Sequence, residues 1–200
     1  MKQRYGLSEG VILAIAVGCL GPGCAAPQAG GVLPFGDWSG HGLFVYENFK
    51  PAKDDADSSD PRSIHREYST TLSIQPAELD GRDVIKMTIR SKRGELPDLM
   101  DETHLIVAMV EARRVSDSTV LYRSVAQQLN PEPGERLEFD DAAPPAGASC
   151  TTLDGVTTFI IEYMENFVDV FRFKGNRVEK RGTYFNKKEG FVHWTETLRK

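Results

Sequence analysis

The chain has 200 residues, of which 40% are hydrophobic, and its 24 basic and 29 acidic side chains give a formal net charge of −5. An acidic chain lacks the positive surface that DNA or RNA binding requires, and the same balance argues against a polybasic patch for membrane surfaces. We therefore exclude nucleic acid as a partner.

The first 18 residues contain the three parts of a secretory signal. Lys2 and Arg4 precede an apolar run at 11–17, and small residues follow it. The run is shorter than the roughly 20 apolar residues that span a bilayer, so it predicts a removable signal peptide at 1–18 rather than a transmembrane helix. Its removal takes away two basic residues and one acid, which leaves a net charge of −6.

Two cysteines follow the apolar run. Residues 16–19, Ala-Val-Gly-Cys, resemble the lipobox of bacterial lipoproteins, in which the cysteine becomes the lipidated first residue. This resemblance implies lipidation at Cys19, a flexible tether at 19–34 and a membrane anchor in the bacterial cell envelope. Cys24, which follows Gly-Pro-Gly, is the alternative lipidation site. Cleavage near Ala26, giving a secreted or periplasmic protein, is a further alternative.

The choice of lipidated cysteine decides how Cys150 can pair. With Cys19 lipidated, Cys24 and Cys150 are available for a disulfide in an oxidising compartment. With Cys24 lipidated, Cys150 has no partner. The chain has no Cys-x-x-Cys and no cysteine–histidine cluster with metal spacing, so we predict no metal site.

From residue 35 onward the hydrophobic pattern is that of β-strands. Apolar and polar residues alternate at 68–74 and 85–90, and turn pairs such as Asp80-Gly81 and Gly175-Asn176 follow. Phenylalanines share one face of 167–173, where Asp169 interrupts them. The pattern predicts strands at 38–46, 67–74, 84–90, 104–112, 120–127, 156–163, 167–174, 177–185 and 191–199, with an optional short strand at 137–139.

Evenly spaced strands with short turns indicate an all-β, antiparallel up-and-down meander that closes into a barrel within a single domain at 35–200. The continuous apolar run at 105–110 is also compatible with a buried helix. The aspartate-rich segment 50–64 is interpreted as a solvated loop, since it lacks the glycine and distant glutamate of an EF-hand calcium loop. The proline-rich segment 130–149 predicts a long, mobile excursion.

Residues 36–42 read Gly-Asp-Trp-Ser-Gly-His-Gly. Gly36-x-Trp38 resembles the start of the first strand in lipocalins, which belong to the calycins, and the longer glycine pattern is similar to that of nitrobindin-like barrels, which bind haem. The resemblance implies a lipocalin-like barrel of 8–10 strands, with Gly36 and Trp38 at one end. It also implies that Arg199 on the last strand packs on Trp38 through a cation–π contact.

Nitrobindin-like barrels carry their haem-ligating histidine on the last strand, a few residues before a leucine. His193 stands in a similar relation to Leu198, so the resemblance implies haem ligation by His193. The alternation along the strand leaves a second interpretation open. His193 lies on the opposite face from Val192 and Trp194, and it faces solvent if those two residues face the core.

No catalytic residue is predicted, because the chain has no Gly-x-Ser-x-Gly elbow, no phosphate-binding glycine loop and no His-Glu-x-x-His. The leading hypothesis is a non-enzymatic exported barrel that binds a small apolar ligand in its interior. The first alternative is an envelope structural or interaction protein with a filled barrel and an exposed apolar patch near 130–149. The second is haem binding through His193.

Overall fold

The fold is a single closed antiparallel sheet. A computed structural model describes residues 33–48, 63–92, 102–139, 147–186 and 190–200. It contains ten strands: β1 Gly36–Asn48, β2 Ser63–Leu79, β3 Arg82–Lys92, β4 Glu102–Ser116, β5 Thr119–Leu129, β6 Gly147–Leu153, β7 Val156–Met164, β8 Phe167–Lys174, β9 Arg177–Asn186 and β10 Gly190–Arg199. Each strand pairs with the next and β1 pairs with β10, which closes the barrel. The all-β, up-and-down barrel is thereby confirmed, with ten strands.

All nine strands expected from the alternation lie within observed strands, most of which extend a few residues further. The run at 105–110 belongs to β4, so it is a strand and the helix interpretation is wrong. The optional strand at 137–139 is not formed. The strand β6 is not predicted by the pattern, because its sequence, Gly-Ala-Ser-Cys-Thr-Thr-Leu, has no run of large apolar residues and its first three residues fall in the segment expected to leave the barrel.

Residues 130–139 are packed against the outside of the barrel. Leu137 and Phe139 contact a buried cluster on β3, β4 and β5 that includes Val84. The backbone N–H of Phe139 donates to Asp80 Oδ2 at 3.0 Å, and the guanidinium of Arg82 lies 4.1 Å from the Phe139 ring. At residues 130–139 this packing differs from the expected exposed apolar patch, because Leu137 and Phe139 are partly buried against the barrel. Residues 140–146 of the same segment lie outside the described ranges.

One half of the barrel interior is filled by its own side chains. This half lies at the end where β1 begins and β10 ends, and aromatic rings pack closely within it, as in the Phe159–Phe171 pair at 5.8 Å. Burying one such side chain stabilises a fold by about 1.5–3 kcal/mol. Leu33, which precedes β1, is also fully buried in this core. Large side chains of this core include Leu33, Trp38, Leu72, Met87, Phe159, Phe171, Phe173 and Leu198.

The proposed leader lies outside the described residues, as do Cys19, Cys24 and nearly all of the tether. The acidic segment 50–64 lies outside them too, except for the first two residues of β2. Among the described residues, no helix has the length and apolarity needed to cross a membrane.

Candidate functional site

The other half of the barrel contains a cavity. It lies where β1 and β9 end and where β8 and β10 begin, and its volume is about 400 Å³. Ligand pockets in proteins usually measure about 300–1,000 Å³. Leu129 and Met164, which are 44% and 46% exposed, stand at its opening. The apolar part of its lining is formed by Phe44, Ile89, Leu105, Phe167, Tyr184, Val192 and Trp194.

Three charged side chains border this cavity inside the barrel, and we call Asp169, Lys180 and Glu196 the ion layer. The ammonium Nζ of Lys180 lies 3.0 Å from Glu196 Oε1 and 3.4 Å from Asp169 Oδ2. The side chains of all three are at most 5% exposed. Two carboxylates against one ammonium give the layer a formal charge of −1.

Neighbouring side chains satisfy the two carboxylates with hydrogen bonds. Tyr68 and Thr70 donate to Glu196 at 2.6 and 3.1 Å. The hydroxyl of Tyr163 donates to Asp169 Oδ2 at 3.0 Å, and the indole Nε1 of Trp194 donates to Asp169 Oδ1 at 2.8 Å. Indole and ammonium groups can only donate, so the geometry fits ionised carboxylates. A buried charge is tolerated only with such partners.

Glycines make room for these hydrogen bonds. Gly182 on β9 lies opposite both Asp169 on β8 and Trp194 on β10, so the carboxylate and the indole meet across the glycine. A Cβ at Gly182 would collide with both side chains. Gly42 on β1 separates Tyr68 from Glu196 in the same manner, and a Cβ there would lie 2.7 Å from the tyrosine ring.

The electrostatics keep Lys180 charged. Burial acts to lower its pKa, but the adjacent carboxylates of Asp169 and Glu196 together raise it above the usual value of a lysine. Burial raises the pKa of Asp169, and burial together with the charge of Asp169 raises that of Tyr163. A lysine that stays protonated is a cation and a hydrogen-bond donor, and not a nucleophile at neutral pH.

The sequence pattern contains a signal for the ion layer. Asp169 interrupts the phenylalanine face of β8. Lys180 and Glu196 stand in phase with the buried Val178 and Leu198 on their strands, so alternation alone places them inside the barrel. A charged residue at an inward position is the informative exception in such a pattern.

Gly36 and Trp38 lie at the filled end of the barrel. Trp38 is buried and packs edge-to-face on Phe173 at 5.5 Å. Arg199 is exposed on the outer face, so the cation expected over Trp38 comes from its neighbour instead. The ammonium of Lys200 lies 4.9 Å from the indole ring and donates to the carbonyl oxygen of Phe35 at 3.0 Å.

His193 does not line the cavity. The inward positions of β10 are those of Val192, Trp194 and Glu196, so the imidazole points to the outside, where its ring lies 5.6 Å from that of Phe191. Haem held inside the barrel by His193 does not fit this arrangement, because the ligand atom is on the wrong side of the sheet. Within the described ranges, no group of three or more His, Cys, Asp or Glu residues is placed to hold a metal ion.

Cys150 belongs to the filled half of the barrel and is fully buried. Burial raises the pKa of its thiol to about 11. Pairing with Cys24 stays a prediction, since Cys24 lies outside the described residues.

No protein-family model matches the chain, and no curated protein matches it. Among solved structures, the chain is similar to an S-type phycobiliprotein lyase from Guillardia theta, with 9% identity over 83% of this chain and 87% of that chain. The TM-score of 0.45 is too low for any functional argument.

Proposed function

We propose that the protein binds a small, largely apolar ligand in the cavity next to the ion layer. The observation that carries the proposal is the division of the barrel interior. Phenylalanine, leucine and other core residues fill one half, whereas the other half keeps a cavity of about 400 Å³ with aromatic and aliphatic lining. Well-packed cores contain few voids larger than a water molecule, so a cavity of this size favours ligand binding over a purely structural barrel.

A neutral apolar fluorophore tests this proposal directly. We expect N-phenyl-1-naphthylamine to bind the purified full chain and to gain fluorescence, because the cavity excludes water from the dye. Binding should also change the emission of Trp194, which lines the cavity, in a Trp38→Phe variant that removes the other tryptophan. Native mass spectrometry of the same sample would identify a ligand that purifies with the protein.

A matched pair of substitutions locates the dye. Val192→Trp places a large ring in the cavity and should weaken dye binding by about ten-fold or more, since it removes the space that the ligand needs. Leu43→Trp adds the same ring to the outer face, where Leu43 is 42% exposed, and should leave binding unchanged. Equal dye binding by Val192→Trp and the unchanged protein would overturn the proposal.

We also propose that the chain is exported and held at a membrane by a lipid on Cys19. The basic start, the apolar run at 11–17 and the lipobox-like residues before Cys19 support this location. Expression in a bacterial host, followed by mass spectrometry of the mature amino-terminal peptide, provides the test. Cys19→Ser should abolish the lipid adduct and Cys24→Ser should keep it. A mature end near residue 26 without lipid would contradict the proposal.

A further inference from the structure

We propose that the ligand is an amphiphile with a cationic head group, such as an alkylamine, whose positive charge lies against the ion layer and whose apolar body fills the rest of the cavity. This inference rests on the proposed function and specifies the chemical class of the ligand. It follows from the charge, the hydrogen-bonding capacity and the aromatic content of the residues around the cavity.

The charge of the ion layer is the first argument. Lys180 neutralises only one of the two carboxylates that it contacts, so Asp169 and Glu196 leave one negative charge beside an apolar space. Charges interact much more strongly in such a low-dielectric space than in water. A ligand cation compensates this charge, whereas a ligand carboxylate adds a like charge to it.

The hydrogen bonds supply a second argument. Each carboxylate can accept about four hydrogen bonds. Within the described part of the chain, Asp169 Oδ1 accepts one hydrogen bond, from Trp194, and Glu196 Oε2 accepts one, from Thr70. Both carboxylates therefore have acceptor capacity left for an N–H donor. Lys180, the one cation of the layer, already donates to Glu196 and lies within salt-bridge distance of Asp169.

Aromatic rings around the cavity provide the third argument. Phe44, Phe167, Tyr184 and Trp194 all contribute to the lining, and Phe167 packs edge-to-face on Trp194 at 5.5 Å. The face of an aromatic ring attracts a cation, most strongly where the cation has lost water. The Lys180 ammonium already lies 5.8 Å from the Trp194 ring centre. The same environment suits a ligand ammonium that has lost part of its hydration.

Three probes with the same ten-carbon tail test the head-group preference: decylammonium, decanol and decanoate. Each probe is titrated, below its own critical micelle concentration, into the full chain with bound N-phenyl-1-naphthylamine, and the loss of dye fluorescence measures displacement. We expect the cation to bind tightest, the alcohol next and the carboxylate weakest. The affinities of cation and carboxylate should differ by about ten-fold or more, because their interactions with the ion layer have opposite signs.

Glu196→Gln isolates the contribution of the ion layer. The amide keeps the shape of the side chain and an acceptor for Tyr68 and Lys180, but it removes the excess negative charge. The ratio of cation to carboxylate affinity should fall at least three-fold. Glu162→Gln changes the net charge equally at an exposed position on the outer face of β7 and should leave the ratio unchanged.

The outcomes separate this inference from the proposed function. If all three probes bind with equal affinity, or the carboxylate binds tightest, the cationic head group is wrong and the apolar cavity site stands. If no probe displaces the dye, the head-group inference fails, and the cavity site fails with it only if Val192→Trp also binds the dye as well as the unchanged protein does. The order of the probes in the unchanged protein decides the matter even if Glu196→Gln does not fold.

Discussion

Trp194 and Asp169 lie on strands that are not neighbours, and the indole donates to the carboxylate at 2.8 Å across the backbone of the strand between them. The residue at the crossing point is Gly182, which is the register partner of both. A buried hydrogen bond to a charged group contributes about 1.5–3 kcal/mol, and this one exists only because the crossing residue lacks a side chain.

Gly182→Ala should therefore destabilise the barrel by about 2–4 kcal/mol, because the added Cβ collides with both partners and separates them. Urea denaturation gives the loss, and Trp194 emission reports the changed environment of the indole. Gly147→Ala is the matched control, since a Cβ there meets nothing within 4 Å. Similar losses in the free energy of unfolding for both variants would contradict the requirement for a glycine between Trp194 and Asp169.

Lys180→Met should cost about 3–5 kcal/mol at pH 8, because it leaves two buried carboxylates without a cation between them. The loss should be smaller at pH 5, because burial already raises the pKa of Asp169 and protonation of that carboxyl removes one of the two negative charges. Urea denaturation at both pH values measures this difference. Lys174→Met, at an exposed position, should change stability by less than about 0.5 kcal/mol. A pH-independent loss in Lys180→Met would argue against charge as the cause.

Lys200→Met should destabilise the barrel by about 0.5–1 kcal/mol through loss of the cation over Trp38. Arg199→Met removes a cation that points outward and should cost less than about 0.5 kcal/mol. Thermal denaturation at low and high salt measures both variants. A larger cost for Arg199→Met would show that the arginine packs on the tryptophan in solution, as the family resemblance implied.

The thiol of Cys150 should make stability fall at alkaline pH. Its folded pKa of about 11 lies above the ordinary value of 9.0. The stability that the buried, protonated thiol contributes is therefore complete below pH 9 and is lost as the pH rises through about 11. A shift of this size corresponds to about 2–3 kcal/mol. Cys150→Val has a similar volume and no ionisable group. Its free energy of unfolding should fall less over this range, and equal slopes would contradict the burial of the thiol.

Burial also raises the pKa values of Tyr122 and Tyr163, so their ionisation likewise lowers the stability of the folded protein as the pH rises. Both tyrosines are present in Cys150→Val, so the difference between the two slopes reports the cysteine together with its charge coupling to Tyr122.

Most of the fold could be predicted because most of the strands alternate between apolar and polar residues along their own sequence. The chain between residues 156 and 199, for instance, places Phe159, Phe171 and Leu198 inside the barrel by period two alone. The strand β6 gives no such pattern, since its inward residues are Ala148 and Cys150 and its pairing with β5 and β7 determines its conformation. Phe139 does not belong to the interior pattern, because this apolar side chain packs on the outer face of the barrel, against the cluster that includes Val84 of β3.

The site could be predicted only in part. Alternation places Asp169, Lys180 and Glu196 inside, but their meeting depends on the register between β8, β9 and β10, which is not encoded in any one strand. Sequence alone also does not distinguish Arg199 from Lys200 as the cation over Trp38. The two residues are adjacent, but Arg199 lies on the outer face of the barrel and Lys200 lies at its end, over the indole. His193 follows the local pattern, and its outward position agrees with the alternation rather than with the haem-binding resemblance.

The pairing of β1 with β10 also has a consequence for biosynthesis. A nascent chain that has not yet reached β10 exposes the edges of β1 and β9, each able to pair with another polypeptide. It also lacks Glu196, so Lys180 has only one of its two carboxylate partners. The residues of β10 thus complete both the hydrogen bonding of the sheet and the ion pairing within it, and a chain interrupted before them is prone to aggregate through its unpaired edges.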